Sequence, residues 1–260
     1  MAFWAAAEPT NDGVLSGLGE VHEADTRDSL QFARACMPPR PRGARTRALD
    51  VGAGIGRVTG AVLLELCHSV ELLDGCDNFV RRARADLSWA GARVERYICQ
   101  PIQEFTPDAG RYDLIWIQWC IGSLKDDELV ALVRKCASAL AHGGLIVVKD
   151  NCVFDDTEGL IDGRYLIDED DKTVTRSIQH TEELLCARGG LTLLARAPAE
   201  LGRDDLQPVI NFALVPMQRS EDSNTVGGRM RQALMFLFVV TAGVVVSLVL
   251  MRSILSQRSQ

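Results

Sequence analysis

Leu49-Asp50-Val51-Gly52-Ala53-Gly54-Ile55-Gly56-Arg57 decides how this chain is read. The apolar run Ala48-Leu49-Asp50-Val51 ends at Gly52, and a helical pattern starts near Arg57. That order is a strand, a glycine turn and a helix N-terminus. Glycines let the chain turn sharply and let a ligand approach the backbone. The helix N-terminus supplies free N–H groups and a partial positive charge. The stretch therefore predicts a site for a nucleotide-like cofactor.

The glycine spacing narrows the cofactor. In a dinucleotide fingerprint the third glycine stands three places after the second. Here Gly52, Gly54 and Gly56 alternate, and Arg57 occupies that third place. No Lys-Ser or Lys-Thr pair follows, which excludes a P-loop. Asp74 closes the run Glu-Leu-Leu-Asp twenty residues beyond Gly54. An acid at that distance sits at the tip of the second strand and can accept both ribose hydroxyls. Glycine turn plus ribose acid, without the third glycine, resembles the S-adenosylmethionine (AdoMet) site of class I methyltransferases. A dehydrogenase, or a tight strand–helix turn with no ligand, are the rival readings.

Outward from this turn, strands and helices alternate. Strands are predicted at 47–51, 69–73, 94–98, 112–117, 144–149, 191–195 and 209–215. Helices are predicted at 57–66, 78–87, 126–140 and 178–188, with one more at 26–36 before the proline-rich break at 37–41. His142-Gly143-Gly144 reads as the stop of the helix at 126–140. The alternation predicts an α/β fold. Seven strands is the count that class I methyltransferases have, so the form expected from that resemblance is a seven-stranded, Rossmann-like sheet with helices on both faces. Residues 151–177 read as a long acidic loop between strand and helix. Long loops in compact domains are often functional, and this one starts at the carboxyl edge where such sheets bind ligands.

Nearly half of the 260 residues (47%) are hydrophobic, enough for a buried core. A net charge of −7 argues against nucleic acid as a partner and suits a basic one. The eight cysteines form no C-x-x-C pair and the four histidines add no ligand spacing, so no metal site is expected. Buried thiols of this kind fit a reducing compartment. No basic n-region followed by an apolar h-region opens the chain, and no secretory signal peptide is expected.

Residues 233–251 are apolar throughout except Thr241, Gly243 and Ser247. A helix of that length spans about 28 Å, close to the hydrocarbon thickness of a bilayer. Arg229 and Arg231 precede it; Arg252 and Arg258 follow it. A buried core helix is the rival, but the segment is apolar on every face and follows the last strand. The organisation expected is an N-terminal helical, substrate-side extension (1–45), a methyltransferase domain (46–215), a flexible linker (216–232), a transmembrane tail anchor (233–251) and a short tail (252–260). The catalytic domain would face the cytosol, with the anchor in endoplasmic reticulum or mitochondrial outer membrane.

Several stretches together resemble the protein α-N-terminal methyltransferases, which act on free amino ends of the form X-Pro-Lys or X-Pro-Arg. Besides residues 49–57 these are Tyr112-Asp113-Leu114-Ile115-Trp116-Ile117-Gln118-Trp119 and Val148-Lys149-Asp150-Asn151. Upstream, Phe3-Trp4, Pro9-Thr10-Asn11-Asp12-Gly13-Val14-Leu15 and Gly17-Leu18-Gly19 match. Downstream, Ile167-Asp168-Glu169-Asp170-Asp171-Lys172-Thr173-Val174-Thr175-Arg176 matches. The resemblance spans about residues 3 to 215, and the Trp-Ile-Gln-Trp run is its most specific part.

The resemblance implies roles. Asp171 would be the general base, Asp168 would pair with a basic third substrate residue, and Asn151 would bond the first peptide carbonyl. Trp119 and Trp4 would wall the pocket for the first residues, where a methylated cationic amine suits aromatic faces. Gly52, Gly54 and Arg57 would hold the methionine end, with Arg57 on its carboxylate and Gln118 reaching it from the fourth strand. Asp74 would take the ribose; Ile102 and Gln103 would frame the adenine. Ser123 stands where the family often carries a histidine that helps deprotonate the amine, and serine is no base near neutrality. Bland readings compete. The tryptophans fit a core, residues 168–171 a solvated loop, Asn151 a turn cap and Arg57 a helix surface.

The leading function is AdoMet-dependent methylation of protein N-termini at a cytosol-facing membrane. A membrane-anchored methyltransferase of a lipid or small metabolite is one alternative, motivated by the anchor alone. A non-catalytic AdoMet-binding adaptor is the other, motivated by Ser123.

Overall fold

The structure, a computed structural model, describes residues 2–41, 43–169 and 172–217. The glycine stretch folds as its composition dictates. β1 (Arg47–Val51) is a buried strand, and the chain turns at Gly52 and becomes helical at Arg57. That helix tightens into a π turn over Thr59–Leu63 and ends as α4 (Leu64–Leu66), reached after three N-terminal helices. These are α1 (Ala2–Ala6), α2 (Asn11–Val14) and α3 (His22–Cys36).

All seven expected strands are present. They are β1, β2 (Ser69–Asp74), β3 (Val94–Cys99), β4 (Tyr112–Gln118), β5 (Leu140–Val153) and, after two further strands, β8 (Leu191–Pro198) and β9 (Val209–Pro216). β3, β2, β1, β4 and β5 lie parallel in that order; β9 joins β5 antiparallel and β8 joins β9. The order reverses between β1 and β4, so their carboxyl ends open a crevice there.

Side chains alternate across the sheet and build a core on each face. Leu49, Val51, Ile115, Ile117, Ile146 and Val148 pack with Leu129, Val133 and Cys136 of α6 (Asp126–Ala139), which follows α5 (Asp77–Asp86). Ala48, Leu72, Leu114, Trp116 and Val147 face the other way, toward Ala33 of α3, Val62, Leu63 and Ala83 of α5. Trp116, Ile115 and Ile117 of β4 are fully enclosed, as a central parallel strand requires. Each such side chain contributes roughly 1.5–3 kcal/mol. Helices therefore cover both faces.

Three details differ from expectation. First, residues 151–177 are not one loop: β6 (Tyr165–Ile167) and β7 (Val174–Ser177) form an antiparallel hairpin, and β7 continues the sheet by pairing with Cys152 and Val153. The acidic turn hid two very short strands, giving nine in all among the described residues. Second, α6 ends at Ala139, not at the glycine pair. Buried Leu140 is already extended, and Gly143, with φ +71°, lies inside β5. Third, α3 begins at His22, one turn before the predicted start, and that turn carries the buried Asp25. The helix expected at 178–188 is present, as α7 (Ile178–Glu182) continued by a π turn at Glu183–Arg188.

Met1–Pro216 gathers into one compact unit. The expected anchor at 233–251 and most of the expected linker lie outside the described residues. Among the described residues no helix is long and apolar enough to cross a membrane.

Candidate active site

The turn after β1 is shaped for close approach. Gly52, Gly54 and Gly56 have φ of +69°, +56° and +78°. A Cβ on Gly52 would stand 2.7 Å from the Cys120 Cβ, so a side chain is excluded on two grounds. Asp74, at the end of β2, accepts from the backbone N–H of Gly54 at 2.8 Å with Oδ2 and of Cys76 at 2.8 Å with Oδ1. It thus fixes the glycine turn before any ligand arrives. Burial pushes its carboxyl above the ordinary range, against the pull of these N–H groups.

Gly52, Gly54, Arg57, Asp74, Ile102, Gln103 and Gln118 all line one cavity of about 190 Å³. The side chains expected to share a cofactor are thus brought together from the ends of β1, β2, β3 and β4. Besides Asp74, the side chains of Gln118 and Arg57 have protein partners already. Gln118 Oε1 accepts from Trp116 Nε1 at 2.8 Å, while its Nε2 donates to both Asp25 oxygens at 2.9 and 3.0 Å. Arg57 Nη1 donates to Asp25 Oδ2 at 2.6 Å. Arg57 is therefore not a surface helix residue. On the cavity floor, Thr59 Oγ1 donates to Asp50 Oδ2 at 2.6 Å, and burial pushes that carboxyl up to about 6.

A second cavity, of about 330 Å³, lies beside the first. Trp4, Trp119, Ser123 and Asn151 line it, together with the buried Asp150. Trp4, Val14, Trp119 and Ser123 belong to the walls of both cavities. Trp119 holds this boundary in an unusual conformation, with φ +51°. Non-glycine residues adopt that region at a cost of about 1–3 kcal/mol, and such outliers cluster at working sites. Its N–H donates to the Lys149 carbonyl, its indole Nε1 donates to Asn151 Oδ1 at 3.2 Å, and the Arg57 guanidinium lies 4.9 Å from its ring centroid. One face of Trp119 is thus taken by a cation of the protein itself.

Asp150 Oδ2 accepts from Ile121 N at 3.1 Å and Oδ1 from Asn151 N at 2.9 Å. Burial pushes its carboxyl up to about 6. The turn it braces, Ile121–Ser123, is held from the far side by Arg176, whose guanidinium donates to the carbonyls of Ile121 and Leu124 and to Asp126.

The acidic run is placed in part. Asp168 sits exposed on the turn after β6, with its N–H on the Thr173 carbonyl at 2.9 Å. It is not part of either cavity wall; Thr173, Val174 and Thr175, just across the turn, line the larger one. Asp170 and Asp171 lie outside the described residues.

Sequence reasoning missed Asp25, Lys149 and the rim formed by Leu201, Leu206 and Gln207 on the β8–β9 connection. One signal was available. Lys149 follows the apolar run Ile146-Val147-Val148, and a lysine in a buried strand needs a carboxylate close by.

A family model described as AdoMet dependent proline di-methyltransferase matches residues 1–215. The chain belongs to that family. Human N-terminal Xaa-Pro-Lys N-methyltransferase 1 is 38% identical over 213 residues, covering 82% of this chain and 92% of the relative. The protein of the same name from Danio rerio is 41% identical over the same shares. A solved SAM-dependent methyltransferase from Leishmania major superposes with a TM-score of 0.72 at 32% identity, covering 82% of this chain and 80% of that one. Phosphoethanolamine N-methyltransferase 1 of Haemonchus contortus, solved with phosphoethanolamine and S-adenosylhomocysteine, shares the fold. Its TM-score is 0.66 at 20% identity, over 91% of this chain and 51% of that one.

The protein is thus an AdoMet-dependent methyltransferase, and its smaller cavity fits that cofactor. Gly52 leaves a cradle that a Cβ would fill, Asp74 offers a carboxylate at the strand tip, and Arg57 presents a guanidinium.

Proposed function

We propose that this methyltransferase acts on the free α-amino group of protein N-termini that carry a basic residue in third position. The observation that carries the reading is the shared wall of the two cavities, Trp4, Val14, Trp119 and Ser123. A donor in the smaller cavity and an acceptor in the larger one meet only there. When bound, AdoMet supplies a sulfonium methyl group that transfers in line to a nitrogen lone pair. The rest is done by the chain.

An α-amine has a pKa of about 7.7–8.0, so a modest base suffices to free its lone pair, and orientation dominates the rate. Asn151 gives its Oδ1 to Trp119, which turns its Nδ2 donor to a peptide carbonyl. Trp4 and the uncovered face of Trp119 flank the amine and, once it is methylated, attract its charge. Asp171 takes the proton. Asp168, on the exposed turn leading into the larger cavity, pairs with the Lys or Arg of the substrate. The relatives named for Xaa-Pro-Lys ends support this substrate class.

The same reading puts the enzyme on a membrane through residues 233–251, with residues 1 to about 230 on the cytosolic side of endoplasmic reticulum or mitochondrial outer membrane. The motive is the uncharged apolar run and its flanking arginines.

Two experiments test this. The full chain is incubated with AdoMet and a Ser-Pro-Lys-starting peptide, and the peptide is weighed by mass spectrometry. Whole methyl units should appear on the amino terminus and be absent when that terminus is acetylated; equal gain on both peptides refutes the substrate. Carbonate extraction of cells should leave the full chain in the membrane pellet and release a chain ending at Met217. Release of both refutes the anchor.

A further inference from the structure

We infer that Asp25, on the first turn of α3, is a positioning residue of the cofactor site: it holds Arg57 so that the remaining guanidinium N–H groups meet the ligand carboxylate. The inference rests on AdoMet as the cofactor and on Arg57 as the partner of its carboxylate.

Asp25 is fully buried and makes three kinds of bond at once. Its Oδ2 stands 2.6 Å from Arg57 Nη1, its Oδ1 stands 2.7 Å from Lys149 Nζ, and Gln118 Nε2 donates to both oxygens. Burial alone would raise its carboxyl, but Arg57 and Lys149 outweigh burial and hold it below the ordinary value. It is therefore an anion at neutral pH, inside the domain.

The charges around it are unevenly shared. Lys149 is fully buried and has two carboxylates, Asp25 and Asp28, the latter also at 2.7 Å. Arg57 has only its share of Asp25. His22, whose Nδ1 lies 3.4 Å from Arg57, adds no anion; burial and Arg57 keep its imidazole below the usual value. Arg57 Nε and Nη2 make no hydrogen bond among the described residues, although the guanidinium lines the cofactor cavity. A planar fork with one corner pinned and two donors left over matches a carboxylate.

The pin also sets where the fork points. Trp119 lies under the guanidinium at 4.9 Å, so Asp25 and Trp119 together define its plane. An arginine without Asp25 would keep its charge and lose that plane. The N-terminal extension therefore contributes to methyl-donor binding, although the glycine turn and the strand ends are the recognised places for it.

The test compares two ligands on the full chain by calorimetry. S-adenosylhomocysteine carries the amino-acid carboxylate; 5′-methylthioadenosine shares its adenosine and thioether and lacks it. Asp25→Asn and Arg57→Met should each cut the affinity ratio of the first ligand to the second by about tenfold. Asp28→Asn, which touches Lys149 and not Arg57, should leave the ratio within about twofold. An Asp25→Asn protein that weakens both ligands equally, or neither, overturns the inference if Arg57→Met still lowers the ratio. A ratio unmoved by Arg57→Met overturns the assignment of Arg57 itself, and the inference with it. Asp25→Asn strands a buried lysine, so the ratio is also read in Asp25→Asn/Lys149→Met against Lys149→Met alone. The same tenfold loss is expected there, and no loss overturns the inference.

Discussion

The indole Nε1 of Trp119 donates to the Oδ1 of Asn151 across 3.2 Å, and this one bond ties the wall between the two cavities to the end of β5. Trp119 sits in a left-handed conformation that has to be held. Asn151 is in turn placed by Asp150, which accepts from its backbone N–H. The boundary of donor and acceptor cavities thus depends on a short chain of side chains, each oriented by the next.

Asn151→Ala should act on the acceptor side. It removes the partner of Trp119 and a donor from the larger cavity, while the glycine turn and Asp74 stay intact. The expected result is a KM for the peptide raised about tenfold, the size of one lost hydrogen bond to a polar group, with the KM for AdoMet within about twofold. Steady-state kinetics with each substrate varied separately decides this.

Gly52→Ala should abolish cofactor binding. The new Cβ meets Cys120 at 2.7 Å, and the φ of +69° is itself strained for alanine. A loss of about 1–3 kcal/mol of stability is expected in urea unfolding. Adding Cys120→Gly should recover only part of it, because relieving the clash leaves the backbone strain.

Ser123→His should speed the enzyme. Ser123 borders both cavities and has no basic group of its own. An imidazole there is half-ionised near neutrality and can take the proton that the α-ammonium must lose. The expected gain in kcat/KM at pH 7 is about tenfold, measured on the same peptide. An unchanged pH–rate profile would show that the proton leaves by another route.

Stability should rise on mild acidification. Burial pushes the carboxyls of Asp50 and Asp150 up to about 6. A carboxyl raised in the folded state stabilises that state below its unfolded pKa and loses the effect as pH climbs through 6. Between pH 7 and 5 each should therefore add about 1 kcal/mol, enough to lift Tm by a few degrees. Asp25 and Asp126 run the other way. Burial opposes their ionisation, but their cationic partners hold them low, so their contribution vanishes as pH falls below about 4. Scanning calorimetry from pH 7 to 3 should show a maximum near pH 4, and Asp50→Asn/Asp150→Asn should flatten its rising side.

Much of this protein was legible in its sequence, because periodicity and glycine are local signals. Most of the seven long strands are apolar runs bounded by turn residues. The glycine turn needs no partner to declare itself, and Asp74 stands at a chain distance set by one strand–helix–strand unit. The glycine turn and Asp74 were found for that reason, whereas Arg57, Ile102, Gln103 and Gln118 were assigned to the cofactor by the family resemblance. The hairpin of β6 and β7 was not, since three or four residues among acids carry no period long enough to read. The end of α6 was misplaced because Leu140 is claimed by the sheet before the glycines act.

What only the tertiary structure decided is where charge is buried. Asp25 on an amphipathic helix, Lys149 in a strand and Arg57 after a glycine turn are separated by 32 to 124 residues, and nothing in their spacing joins them. They are ionic because they meet: each would be too costly to bury alone. The sequence by itself determined a sheet with a cofactor turn at its switch point. Folding decided which charges face that turn, because pairing across the chain is the one condition under which those charges can be inside at all.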